Sequence, residues 1–126
     1  MRVLVVDDHH AFRQALTSAL EMVDEIEVAG EAGGGIAGCR EAEHIEPDVV
    51  LMDLSMPDLS GFDAMERMHE RHPALPVVIL TADSDPEVEA EARRAGASGF
   101  VAKGTRLDDI VIVLHEAAEQ PAKPAA

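Results

Sequence analysis

Five side chains lying far apart along the chain could act together on one phosphoryl group. They are Asp7 and Asp8 in VVDDHH, Asp53 in VVLMDLSMP, Thr81 in VILTAD and Lys103 in FVAKG, each following a short apolar run. Two unit charges about 4 Å apart repel by roughly 4 kcal/mol at an effective dielectric near 20, so carboxylates gathered at one crevice require a cation. All-oxygen ligands with no thiol nearby suit Mg²⁺, which takes one or two carboxylates and keeps several waters. Lys103 adds a fixed positive charge. A carboxylate nucleophile, a divalent ion, a lysine and a hydroxyl are what phosphoryl transfer to an aspartate requires. On this reading Asp53 attacks in line. Of the three equatorial oxygens, one faces the ion, one the Lys103 ammonium, and one the Thr81 hydroxyl with nearby backbone N–H groups.

The elements that must gather these residues can be read from the apolar pattern. Short β-branched runs occur at residues 2–6, 26–29, 49–52, 77–80 and 99–102, with helical patterns between them. Over 11–23, Phe12, Leu16, Ala19, Leu20 and Val23 share a helical face; over 107–118, Leu107, Ile110, Val111, Leu114 and Ala118 do the same. Ser60 with Asp63, and Thr105 with Asp108, have capping-box spacing, and Asp85 before Pro86 marks another helix start. GEAGGGIAG reads as a loose glycine-rich connection leading into a weak helical pattern over 36–44. Strands alternating with helices predict a parallel sheet covered on both faces, which explains why the third and fourth runs are apolar throughout. A doubly wound, flavodoxin-like (βα)5 sheet of order 2-1-3-4-5 puts its crevice beyond the carboxyl ends of the strands. Asp7, Asp8, Asp53, Thr81 and Lys103 would meet there.

Length and composition agree with one such domain. The chain has 126 residues, 47% of them hydrophobic but only 2% aromatic, so Val, Ile, Leu, Met and Ala must build the core. A formal net charge of −15 argues against nucleic-acid binding through this domain and favours cations and basic protein surfaces as partners. Cys39 is the single cysteine, and neither a signal peptide nor a long apolar run is present, which reads as a cytoplasmic protein with no membrane partner.

In order and spacing, VVDDHHAFRQAL, PDVVLMDLSMPDLSG, VILTAD and AGASGFVAK resemble the receiver domain of bacterial two-component response regulators. The resemblance covers residues 1–118. It implies that Asp53 accepts a phosphoryl group from a sensor histidine kinase, that Asp8 binds Mg²⁺ directly, and that Asp7 acts through water. It further implies that the Ser55 backbone carbonyl completes the protein ligands, and that Thr81 and Lys103 bind the phosphoryl group. Phe100 matches an aromatic position whose rotamer follows Thr81, so phosphorylation would repack the fourth helix and fifth strand as a two-state switch rather than run an enzymatic cycle. VDDHHAFRQAL, VAGEAGGG and PDVVLMDL are most similar to receivers of the NarL/FixJ type, which carry a LuxR-type helix-turn-helix for DNA. The tail EQPAKPAA, 119–126, would then begin a linker to such a domain; a stand-alone receiver signalling through protein contacts is the alternative. Four positions are notable against the common pattern: Gly104 stands where many receivers have Pro, Phe100 lacks the hydroxyl of Tyr, and Ser55 and Asp83 occupy positions that tune phosphoryl lifetime.

Blander readings apply to each residue alone. Asp7 and Asp8 could cap a helix, Lys103 could be a surface lysine and Thr81 a core hydroxyl; only their joint placement raises them. His9 and His10 could border the acidic crevice, with metal ligation the weaker reading, while His69 and His72 read as an exposed helix end and Cys39 as a small hydrophobe. A dinucleotide-binding reading of GEAGGG fails because the first strand ends in DDHH, which would repel a pyrophosphate. An aspartyl-phosphate hydrolase would want an acid two residues after its nucleophile, where Ser55 stands. In IVIVL, 110–114, Ile112 or Val113 is expected at a homodimer or interdomain contact, against the alternative of a broad core stripe.

Overall fold

A computed structural model of the chain describes residues 1–82 and 85–120. Five strands alternate with five helices: β1 Arg2–Val6, α1 His10–Glu21, β2 Glu27–Ala32, α2 Gly35–Ile45, β3 Val49–Asp53, α3 Gly61–Arg71, β4 Val77–Thr81, α4 Pro86–Arg94, β5 Gly99–Ala102 and α5 Leu107–Ala118. The strands form one parallel sheet in the order β2-β1-β3-β4-β5, as the alternation of elements predicts.

Successive side chains on a strand point to opposite faces, and this period divides the core in two. Leu4, Val6, Val50, Met52, Val77 and Ile79 pack on one face beneath Ala42 of α2, Ala64, Met65 and Met68 of α3 and Ala92 of α4. Val3, Val5, Val49, Leu51, Val78 and Leu80 pack on the other, beneath Leu16 and Leu20 of α1 and Ile110, Leu114 and Ala117 of α5. Every residue of β3 and β4 is buried, because these strands lie inside the sheet with helices on both sides. Burying one such Leu, Ile or Val side chain contributes about 1.5–3 kcal/mol, so the central strands are the most strongly held part of the fold.

The edges differ from the sequence reading in register more than in kind. β2 lies further along the chain than 26–29 and includes Gly30, Glu31 and Ala32 from the supposed glycine-rich connection. Only Ala32 of this edge strand is buried, so its apolar pattern is weak, and an irregularity between Val3 and Leu4 sets its pairing with β1. α1 ends at Glu21, and Val23 closes a turn onto the Leu20 carbonyl at 3.0 Å. The expected cap at Ser60 forms: its hydroxyl oxygen accepts the Asp63 N–H at 3.1 Å. Asp85 caps α4 by accepting the Glu87 N–H at 2.8 Å. The Thr105 cap does not form. Thr105 spends its N–H on the Ala102 carbonyl at 3.0 Å, and α5 begins after Arg106 with no side-chain cap.

His69 and His72 are half-buried rather than an exposed helix end, and the His69 ring lies 2.9 Å from the Leu75 carbonyl. Cys39 packs on the core below α2. In α5, Val113 packs against the second core cluster, whereas Ile112 is 53% exposed. Asp83 and the PAKPAA part of the tail lie outside the described residues. No helix among the described residues is long and apolar enough to cross a membrane.

Candidate functional site

Parallel strands all end on the same edge of the sheet, and the register brings the candidate residues to neighbouring ends. Val6 pairs with Met52, Asp53 with Leu80, and Thr81 with Ala102, so Asp7, Asp53, Thr81 and Lys103 close four adjacent strands. Backbone bonds hold these ends together. The Asp7 N–H donates to the Ala32 carbonyl at 3.0 Å, the Leu54 N–H to Leu80 at 3.0 Å, and the Lys103 N–H to Thr81 at 2.8 Å. The chain then turns sharply after β3: Gly61 donates to the Leu54 carbonyl at 2.7 Å, and a Cβ at Gly61 would stand 2.5 Å from the Asp53 carbonyl oxygen. Glycine is needed there for the close approach of two backbones.

The side chains form a compact charged group. Lys103 Nζ lies 2.9 Å from Asp7 Oδ2 and 3.5 Å from Asp53 Oδ1, over the ring of Phe12 at 4.8 Å from its centroid. The Phe12 ring thus supports the ammonium from α1 and steers it towards the carboxylates. Asp7 Oδ1 accepts the His9 N–H at 2.8 Å, and the Ser55 N–H reaches Asp53 Oδ1 at 3.4 Å. Arg13 Nη1 donates to the Asp7 carbonyl and Nε to Glu31 at 3.2 Å, which ties the turn after β1 to β2. Thr81 is buried at the end of β4. Two residues from Ile79, it faces the same side of the sheet as Phe100, which pairs with Ile79 and is partly buried against the core under α4. Ser55 is exposed on the turn after β3, and Gly104 has open space where a Cβ would stand.

One ammonium does not satisfy three carboxylates. Asp7 and Asp53 are almost wholly buried, and Asp8 Oδ1 and Asp53 Oδ2 are buried oxygens with no hydrogen-bond donor. Burial first, and then the Asp7 charge, raise the Asp53 pKa from 3.8 to about 6; the neighbouring Asp8 carboxyl adds to the rise, while Lys103 and the Ser55 N–H oppose it. Carboxylate oxygens of Asp7, Asp8 and Asp53, with a ring nitrogen of His9, all lie within 4.8 Å of one another. Orphaned carboxylate oxygens converging on one point fit a hard divalent cation such as Mg²⁺.

Three residues of this neighbourhood are poorly marked in the sequence. His9 stands beside the acidic pair, but only its fold places its Nδ1 at 3.2 Å from Lys103 Nζ, 94 residues away. Phe12 reads as one member of a helical stripe, with nothing to show that its ring lies under Lys103. Asp58, from the turn after β3, accepts the Gly35 and Ile36 N–H groups at 3.0 Å each and so caps α2, whose own Gly34 offers no side chain. A polar residue just after the SMP turn was the available signal.

Comparison with known proteins agrees with this geometry. Residues 3–115 match the family model described as the response regulator receiver domain. The chain is 38% identical over 111 residues to the uncharacterized transcriptional regulatory protein YhcZ of Bacillus subtilis, covering 88% of this chain and 52% of YhcZ. It is 31% identical over 116 residues to the nitrate/nitrite response regulator protein NarL of Escherichia coli, covering 92% of this chain and 54% of NarL. The chain therefore spans about half the length of the curated relatives it matches. Among solved structures, the signal receiver domain of the putative response regulator NarL from Mycobacterium tuberculosis superposes with a TM-score of 0.87 at 31% identity, covering 94% of this chain and 95% of that one. A buried aspartate at the end of the third strand, flanked by an acidic pair and a lysine on neighbouring strand ends, and a family match over nearly the whole fold lead to one assignment: the chain belongs to the receiver domains of two-component response regulators, of the NarL/LuxR-like kind.

Proposed function

We propose that Asp53 is the phosphoacceptor of a Mg²⁺-dependent reaction and that the donor is the phosphohistidine of a sensor kinase, or a small acyl phosphate. The observation that carries this reading is the state of the Asp53 carboxylate. One oxygen faces Lys103 and the Ser55 N–H, while the other is buried without a donor. Asp8 and Asp53 would hold the ion directly, Asp7 through water, and the Ser55 backbone carbonyl would complete the protein ligands. Bound Mg²⁺ supplies positive charge against the carboxylates and the incoming phosphoryl oxygens.

In the transfer step the Asp53 oxygen forms its bond to phosphorus in line as the bond from phosphorus to the imidazole nitrogen, or to the acyl oxygen, breaks; the electron pair leaves with the donor. Lys103 moves its ammonium from Asp7 and Asp53 onto one phosphoryl oxygen, and the Thr81 hydroxyl takes another. Thr81 and Phe100 share one face of the sheet, so an inward shift of Thr81 opens room for the Phe100 ring and repacks the surface of α4 and β5. A shift of population from 1:99 to 99:1 needs about 5.5 kcal/mol, which three charge-assisted contacts can provide. The product is a modified switch.

The output of the whole protein follows from its relatives. Their roughly twofold greater length and the description of YhcZ as a transcriptional regulatory protein favour a LuxR-type DNA-binding domain beyond this chain, with Ile112 available on α5 for a dimer or interdomain contact. A coding sequence that runs past Ala126 into a helix-turn-helix supports this output; one that stops there supports a stand-alone receiver. The central test is intact-mass measurement after treatment with acetyl phosphate, with and without Mg²⁺, for the native protein and Asp53→Asn. The native protein should gain one phosphoryl group only with Mg²⁺, and the variant none. An adduct on the variant, or none on the native protein with Mg²⁺ and kinase supplied, overturns the assignment.

A further inference from the structure

His9 is the N-cap residue of α1, yet its side chain makes no capping bond. Its ring, 63% exposed, turns the other way and borders the mouth of the crevice with Nδ1 towards the carboxylates. Nδ1 lies 3.3 Å from Asp7 Oδ1, 3.5 Å from Asp8 Oδ1 and 3.9 Å from Asp53 Oδ2, and 3.2 Å from Lys103 Nζ. Nδ1 is within hydrogen-bond reach of both the Lys103 ammonium and Asp7 Oδ1; with the ring proton on Nε2 its lone pair accepts from the ammonium, which has donors only, and faces the carboxylates. Four lone-pair atoms thus converge, two of them on side chains with almost no solvent contact, and Asp53 Oδ2 among them has no donor.

Lone pairs at such separations repel unless a cation lies between them. With metal–ligand bonds of about 2.0–2.2 Å, neighbouring ligands stand about 3 Å apart in octahedral geometry and about 3.4 Å apart in tetrahedral geometry. The three His9 distances lie at or slightly above these spacings. No backbone rearrangement is needed, because the His9 N–H is already anchored to Asp7 Oδ1 at 2.8 Å.

We propose that His9 is a ligand of the divalent ion, making the site a mixed nitrogen–oxygen one that holds borderline ions such as Co²⁺ and Zn²⁺ far more tightly than Mg²⁺. The inference rests on the cation site proposed above and adds its selectivity. Carboxylate and water suit hard Mg²⁺, whereas imidazole contributes little to it and much to Co²⁺ or Zn²⁺. His9 would therefore set which ion the receiver carries where several compete. Lys103 gives up its contact with Nδ1 as the ion takes that lone pair and remains over Phe12, beside Asp7.

The test is the affinity of the full chain for Co²⁺ and for Mg²⁺, measured by calorimetry on native protein, His9→Ala and His9→Gln. The Co²⁺ visible absorption provides a second readout, and the histidine ring nitrogen resonances on addition of Zn²⁺ a third. The expected result is a loss of about tenfold or more in Co²⁺ affinity in both variants, with Mg²⁺ affinity kept within about threefold. The native Co²⁺ spectrum should carry a nitrogen-ligand signature absent from both variants, and one His resonance should shift with Zn²⁺. Mg²⁺ binding with an unchanged Co²⁺ affinity in the variants overturns the role of His9 and leaves the cation site standing. Parallel loss of both ions assigns His9 a merely structural part and also overturns the inference. Failure of the native protein to bind either ion overturns the site itself.

Discussion

Where the strands begin, Arg2 donates its N–H to Asp48 at 2.7 Å and its guanidinium to the carbonyls of Ile45 and Glu46 at the end of α2. Where they end, two buried aspartates share one lysine beside a third at the rim, and an oxygen of Asp8 and one of Asp53 have no donor. Both edges carry charge, but at the first it is matched to carbonyls and counter-ions, and there it stabilises the fold. Glu46 there holds a left-handed conformation, φ 47°, which the guanidinium helps to secure. At the second edge the negative charge is in excess. Burial raises the Asp53 pKa to about 6, so ionising the group opposes folding. The difference separates a region arranged for stability from one whose excess charge fits the proposed cation and phosphoryl site.

The contrast is tested most severely at Lys103. Lys103→Met should slow phosphoryl incorporation at Asp53 by about 100-fold or more, the usual cost of removing one preorganised electrostatic stabiliser. A time course of intact mass with acetyl phosphate and saturating Mg²⁺ measures it. A rate within threefold of native would mean that Lys103 only pairs the carboxylates.

Stability should then move in opposite directions at the two edges. Because the folded Asp53 pKa is raised, the folded chain binds more protons than the unfolded one between about pH 4 and 6. Stability from this group therefore falls as pH rises through that window, and the cost is complete above about 6. A rise of about two units sets a ceiling of about 3 kcal/mol, which solvent at the mouth of the crevice reduces to about 2. In chelator near neutral pH, Asp53→Asn should accordingly be more stable than native by about 2 kcal/mol in urea unfolding, and the gap should close towards about pH 4. Mg²⁺ should narrow it, since an ion that binds only the folded native protein stabilises it in proportion to its occupancy.

At the opposite edge, Arg2→Met should cost about 1–2 kcal/mol by leaving the last carbonyls of α2 without their charged donor. The loss should be flat across pH, and acetyl phosphate labelling of Asp53 should proceed at the native rate. A slower rate would show that the two edges are coupled through the sheet.

How much of this was legible depended on what each feature needs. β3 and β4 are apolar on both faces, so four consecutive residues mark each of them. β2 lies at the edge and buries only Ala32, so its position follows from pairing with β1 rather than from its own pattern. Thr105 and Asp108 had the right spacing for a cap, but the turn onto Ala102 took the backbone group first. Asp7, Asp53 and Lys103 could be gathered in advance because parallel strands end on a common edge. The Phe12 ring beneath Lys103 could not, and for His9 the sequence offered a place at the border of the crevice but not its contacts there, because a side chain's direction is chosen by packing between distant segments.

Asp58 offers the smallest effect and links the two kinds of region. It lies on the turn that leaves β3, the strand that ends on Asp53, yet its carboxylate serves a purely structural end, accepting the Gly35, Ile36 and Leu59 N–H groups. The Ile36 and Gly35 N–H groups hold its pKa below the ordinary value of 3.8. A lowered folded pKa contributes stability that is complete above the unfolded value and disappears as pH falls through the folded one. Asp58→Asn keeps one acceptor oxygen where the native residue has two, and it removes the negative charge from the N-terminus of α2. Thermal melts should therefore show a modest fall in midpoint near neutral pH that fades in acid, opposite in sign to the effect of Asp53→Asn. If the turn also positions Ser55 for the ion, the same variant should weaken Mg²⁺ binding; unchanged binding would confine Asp58 to the fold.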